Sequence, residues 1–231
     1  MENPQLLTEH YQKTYELTYE LWKQRNITFL VLLGLIGAAT LLTFAPARTN
    51  PLLIAWIAKI LGMTESDRIA ELQKSFPFAI LQSLLLVAVF YLMVNLYHRA
   101  LYVLRNYRYL GELEREIREQ LKLSADSVSF TRENTFYWSD RAPLLGAVKW
   151  VYIFFVGALL FAFLGGRTYH DFNAGNIPLG SVDLAISLPT VVFFVAYAYS
   201  SVHLDTAEKV VGRTFKRTHE PRNAARSVKA P

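Results

Sequence analysis

Three polar residues set in or beside apolar stretches raise the first chemical question: Asn95, His98 and Lys149. Asn95 and His98 close the uncharged run from Phe76 to Tyr97 (FPFAILQSLLLVAVFYLMVNLY), and Lys149 stands near the start of the apolar run from Pro143 to Leu164. An amide, an imidazole and an ammonium at similar membrane depth are groups that could line a polar path for ions. The competing reading has Lys149 run its stem to the headgroups. Directly after the first run, Arg99, Tyr102, Arg105, Tyr107, Arg108 and Tyr109 interleave cations with rings. Such a pattern suits stacked nucleotides or anionic lipid headgroups. Its place beside a membrane segment favours lipid, and no specific nucleic acid is expected.

Constellations for catalysis are missing. The five histidines and nineteen acids make no HxxxH, HExxH or paired ExxH spacing, so no metal is expected. His170 with Asp171, and His203 with Asp205, are the close pairs. No phosphate-binding glycine loop, dinucleotide fingerprint or nucleophile elbow occurs, so the expectation is a protein that is not an enzyme and takes no cofactor. With no cysteine, thiolate chemistry and disulfides are excluded. Asp183, at the outer end of the last apolar run, where that run begins, is expected to be an interfacial acid.

The element that positions the candidate path is the stretch from Phe76 to Leu121, which the pattern predicts to be one helix provided Gly111 does not break it. Val89, Met93, Leu96, Ala100, Val103, Tyr107, Leu110, Ile117 and Leu121 keep a heptad spacing, interrupted at Glu114 with Leu113 alongside. The seam formed by Val89, Met93, Leu96, Val103, Leu110, Ile117 and Leu121 is expected to bury itself in a helical hairpin or against another copy. On the opposite face run Tyr91, Asn95, His98, Tyr102, Arg105, Tyr109, Glu112, Glu116 and Glu119. Glu114 and Arg118 read as members of a solvated, mixed-charge surface.

At 52% hydrophobic and 14% aromatic residues, the 231-residue chain holds more apolar material than one soluble core of that size needs. Runs long enough to cross a hydrocarbon core of about 30 Å account for the excess. The spacing predicts an all-α membrane protein with four transmembrane helices, and a cytoplasmic helical hairpin extending spans one and two. Asn3-Pro4 starts an amphipathic helix over residues 1–26, with Tyr11, Tyr15, Thr18 and Trp22 on one face. A first transmembrane hairpin follows over 27–97, its spans being Ile27 to Phe44 and Phe76 to Tyr97. The loop between them carries a short helix from Pro51 to Leu61 and another after Thr64, where Thr64 and Asp67 resemble a capping box. Residues 98–142 hold the helix extension and a short β-hairpin in SVSFTRENTFYW.

The second transmembrane hairpin covers 143–201. Gly165-Gly166 is expected to end its first span, the segment RTYHDFNAGNIPLGS to form a loop, and Val182 to Ser201 to make the last span, kinked at Pro189. Residues 202–231 are a basic tail. Gly34 with Ala38, and Ala158 with Ala162 and Gly166, are small residues at four-residue spacing that let helices pack closely, in a bundle or between copies.

Lysine and arginine decide the orientation. Three precede the first span, eight lie between Tyr97 and Pro143 and seven follow the fourth span, against four and one in the alternate loops. By the positive-inside rule, both termini and the central segment are cytoplasmic in a bacterial-type inner membrane. The net charge of +5 therefore reports orientation. The leading expectation is a homo-oligomer, in contact with membrane lipids, that forms a channel-like pathway or gate or perturbs the membrane. The alternative is a non-catalytic anchor or scaffold docking a soluble cytoplasmic partner.

Overall fold

The computed structural model describes residues 4–124, 127, 129–130, 143–173, 175 and 177–218, with side chains from 5 to 202 within those ranges except 143–149. All regular structure among the described residues is helical: α1 (Pro4–Phe44), α2 (Pro46–Ile60), α3 (Ser66–Ser75), α4 (Phe78–Gln120), α5 (Pro143–Asn173) and α6 (Ile177–Thr218). Four of them, α1, α4, α5 and α6, are long and apolar enough to cross a bilayer, which is what a multi-pass membrane protein requires. The expected β-hairpin falls almost wholly outside the described residues.

Helix ends follow local chemistry, and several differ from the sequence reading. Gly111 lies inside α4, where the flanking good helix formers carry the chain past it. The short loop helix starts at Pro46, a favoured first-turn proline, and takes Pro51 into its interior. It stops at Gly62, whose φ of +71° lets the Met63 amide bond back to the Ala58 carbonyl at 2.8 Å. Lys122 does the same task after α4 at φ +49°, with the Leu123 amide on the Arg118 carbonyl at 3.1 Å. No capping box forms at Thr64 and Asp67; Glu65 precedes α3 in an extended conformation without a side-chain cap. Gly165-Gly166 does not end α5. The helix continues to Asn173, so most of the expected loop is helical and the turn before α6 narrows to residues 174–176. Pro189 lies inside α6, whose backbone stays helical to Thr218 in the basic tail.

The chain divides into two compact units. The larger comprises residues 19–103 and 143–197. Its hydrophobic cluster brings together Leu32, Ile36 and Ala39 from α1, Leu86, Val89, Met93 and Leu96 from α4, Val156, Leu160, Phe163 and Leu164 from α5, and Phe194 from α6. Hydroxyls on these helices bond to carbonyls one turn back, as Thr40 does to Ile36, Thr43 to Ala39, Thr168 to Leu164 and Thr190 to Ile186, so they need no water. Close helix approaches are at Gly157, where an added Cβ would meet the Phe194 ring at 2.9 Å, and at Gly166, where it would run into the Phe44 ring. Gly34, Ala38, Ala158 and Ala162 instead face outward. Helix α2 buries Ile54 and Ala58 and exposes Leu52, Trp56 and Ile60.

The smaller unit holds residues 1–18, 104–142 and 198–231. Here the start of α1 packs on the end of α4: Leu7, Leu113 and Ile117 are buried together, with Tyr11 and Phe130 against them. Tyr11 donates its hydroxyl to Glu114 Oε1 at 2.9 Å, and His10 Nε2 shares a hydrogen bond of 2.9 Å with the Tyr109 hydroxyl. Glu114 is thus buried at 1% exposure, and the expectation of a solvated residue is corrected. The heptad position it occupies turns it inward, and Tyr11 gives its carboxylate a donor. Arg118 also has specific work, donating to the carbonyls of Ser124, Ser127 and Ser129. In the larger unit, Trp22 and Tyr19 are exposed and stack on each other.

Candidate functional site: a buried arginine and two carboxylates

The polar groups brought together in the larger unit lie where α1 ends, α4 and α6 begin, and α5 nears its end. Arg167 on α5 is 1% exposed, Asp171 one turn later 3%, and Asp183 on α6 0%. A spacing of four puts Arg167 and Asp171 on one helix face, and the continuation of α5 past its glycine pair makes that face exist. The Arg167 guanidinium donates from Nε to Asp183 Oδ2 at 2.8 Å and from Nη1 to Gln82 Oε1 at 2.5 Å. Nη2 stands 2.9 Å from Asp171 Oδ2 and 3.3 Å from both the Ala79 carbonyl and Ser83 Oγ.

Two further bonds extend the network. Gln82 donates from Nε2 to the Leu42 carbonyl at 3.1 Å, satisfying one of the carbonyls left over at the end of α1. Ser83 Oγ lies 3.3 Å from Asp183 Oδ2. One guanidinium therefore connects, directly or through Gln82, all four long helices. Arginine suits this place because its fixed fork of donors serves several acceptors at once and its charge persists away from water. The expectation that Asp183 is an interfacial acid is corrected: it is enclosed, with Arg167 as its counter-charge. Thr190 and Ser187 follow Asp183 on α6, both buried, and Ser187 Oγ has no hydrogen-bond partner.

The residues singled out from the sequence sit elsewhere. Asn95 is half-buried and turns its amide back to the Tyr91 carbonyl at 3.0 Å. His98 is exposed, its ring edge-on to Tyr97. Lys149 lies on α5 with its side chain outside the described residues. Tyr102, Arg105 and Arg108 are exposed and Arg99 half-buried. Of the seam, Val89, Met93, Leu96, Val103, Leu110 and Ile117 are buried within the chain, while Leu121 is 41% exposed. Met93 and Leu96, the neighbours of Asn95 on α4, are buried in the hydrocarbon cluster.

Among the described residues, no group of three or more histidine, aspartate or glutamate side chains is placed to hold a metal ion. His170 approaches Asp171, Nδ1 to Oδ1, at 3.9 Å and is otherwise exposed. Sequence reasoning passed over Arg167 because two glycines and many turn-forming residues hid a helix; the four-residue interval from Arg167 to Asp171 was the available signal. Compared with known proteins, the chain matches no family model, no curated protein and no solved structure.

Proposed function

We propose that this protein is a non-catalytic multi-pass membrane anchor whose helices outside the bilayer present a docking surface to a soluble partner. The observation that carries the reading is that the α4 seam is covered within the chain. Residues from Val89 to Ile117 that would have joined copies are buried against the chain's own helices. What α1 and α4 leave outward in the smaller unit combines charge, from Glu9, Lys13 and Glu16 on α1 and Glu112, Arg115, Glu116 and Glu119 on α4, with the exposed side chains of Leu6, Leu17 and Tyr109. By the positive-inside rule this surface lies in the cytoplasm of a bacterial-type cell, as do both termini. Arg99, Tyr102, Arg105 and Arg108 then sit at the level of anionic headgroups.

A second reading, a homo-oligomer enclosing a pathway, has its own support. Gly34 and Ala38 on α1, and Ala158 and Ala162 on α5, are small and outward-facing, which permits close approach of another copy. Since the interior of a single bundle holds a hydrocarbon core and a closed, paired polar cluster, such a pathway would run between copies and would use His98 and Tyr102. Native mass measurement in nanodiscs, paired with ion flux in liposomes, separates the two. The anchor is a monomer or dimer without flux. A closed multimer of three or more copies, with flux altered by Asn95→Ala or His98→Ala, would replace it with the pathway.

A further inference from the structure

The charges of the buried cluster do not balance. Arg167 brings one positive charge and Asp171 and Asp183 two carboxylates, all at most 3% exposed. The remaining groups against them are neutral: Gln82, Ser83 and the Ala79 carbonyl from α4, and the Leu42 carbonyl of α1 behind Gln82. A further titratable group beside the cluster is His170 on α5, 3.9 Å from Asp171 and with its side chain 61% exposed. An uncompensated charge is strongly unfavourable in such a place, and a buried acid escapes the cost by taking up a proton.

A second observation points the same way. Asp183 Oδ1 accepts no hydrogen bond although its residue has no exposure. Asp171 Oδ2, though paired by charge with Arg167 at 2.9 Å, has no hydrogen aligned on it. A carboxylate only accepts, whereas a protonated carboxyl also donates, so one proton turns an orphaned acceptor into a pair of partners.

We infer that the Arg167, Asp171 and Asp183 cluster is a proton-binding site, in which the two aspartates together hold one exchangeable proton and the resting cluster is neutral. The step makes and breaks one O–H bond, with water as the source and acceptor of the proton on the exposed His170 side. Its release leaves a negative charge at the point where four helices are tied, so alkaline water at that face loosens the tie. This inference stands apart from the anchor reading, since it concerns the larger unit alone.

Infrared spectroscopy of the full chain in nanodiscs near neutral pH tests it, with potassium and then sodium as the only salt. A protonated-carboxyl C=O band is expected in both salts and lost on alkalinisation. Asp171→Asn and Asp183→Asn each balance the charge without a proton, so the band disappears in either, while Asp67→Asn, at an exposed acid on α3, leaves it unchanged. Absence of the band from the folded wild-type protein in both salts overturns the inference. A band that vanishes when sodium replaces potassium overturns it too, because a metal cation would then fill the place of the proton. Should neither asparagine variant fold, the wild-type spectra decide alone.

Discussion

Arg167 Nε and Asp183 Oδ2 lie 2.8 Å apart with their side chains 2% and 0% exposed, and the two residues come from different helices. Removing one partner of such a pair leaves the other enclosed without its counter-charge, which costs about 3–5 kcal/mol. Arg167→Met is therefore expected to be among the most destabilising single changes in the chain, read as a lower unfolding midpoint in detergent or nanodiscs. Replacing Arg167, Asp171 and Asp183 together with leucines should recover much of the loss, since burial of ions is itself costly. A triple variant less stable than Arg167→Met would mean that the cluster contributes net stability as a unit.

Gln82 joins the guanidinium to the end of α1, through Arg167 at 2.5 Å and the Leu42 carbonyl at 3.1 Å. Gln82→Leu keeps the approximate volume and removes both bonds. The expected loss is about 1–3 kcal/mol, the cost of polar groups left without partners. Faster hydrogen exchange at the end of α1, around Leu42 to Phe44, would locate the effect. Unchanged exchange there would show that the Leu42 carbonyl does not depend on the glutamine.

The long helices were legible in the sequence because a bilayer demands a run of apolar residues that no turn chemistry can imitate. Phe78 to Tyr97 could hardly be anything else. The seam from Val89 to Ile117 was legible through its spacing, yet spacing cannot say whether the partner is the same chain or another. The Arg167 cluster was hidden for a different reason. Gly165 and Gly166 weaken a helix locally, and the turn formers that follow reinforce the impression of a loop, but packing overrides propensity. Glu114 was obscured by its own charge: one partner that makes its burial tolerable is a tyrosine hydroxyl from a residue over a hundred positions earlier, and no local pattern announces such a pairing.

Two glycines on α5 should respond in opposite directions. A Cβ at Gly157 meets the buried Phe194 ring at 2.9 Å, whereas one at Gly165 meets nothing within 4 Å. Gly157→Ala is expected to cost about 1–3 kcal/mol by overpacking. Gly165→Ala should be neutral or stabilise by about 0.5–1 kcal/mol, because alanine loses less backbone freedom on entering a helix. Thermal unfolding of the two variants side by side is the measurement. A stabilising Gly157→Ala would show that α5 and α6 can move apart at no cost.

Lys122 holds the left-handed turn that closes α4 at φ +49°, a conformation that costs a side-chain-bearing residue about 1–2 kcal/mol relative to glycine. Lys122→Gly should therefore slow exchange of the last amides of α4, with no loss of the Leu123 to Arg118 bond.

The pairing of α1 with α4 in the smaller unit includes a part-buried polar contact, from the Tyr11 hydroxyl to Glu114 Oε1 at 2.9 Å. Leu7, Leu113 and Ile117 surround it with hydrocarbon, so water is poorly placed to substitute for the phenol. Tyr11→Phe keeps the ring and its edge-on contact with Phe130 and deletes one donor to a carboxylate. A hydrogen bond to a charged group contributes about 1.5–3 kcal/mol, and the smaller unit should lose that much local stability. Hydrogen exchange should rise around Leu7 to Tyr15 and around Leu110 to Ile117, with residues of the larger unit unchanged. Glu114→Gln in the same background should lessen the damage, because losing one donor costs an enclosed amide less than an enclosed carboxylate. If Tyr11→Phe exchanges like the wild type, the contact is incidental and the hydrocarbon alone holds the two helices together.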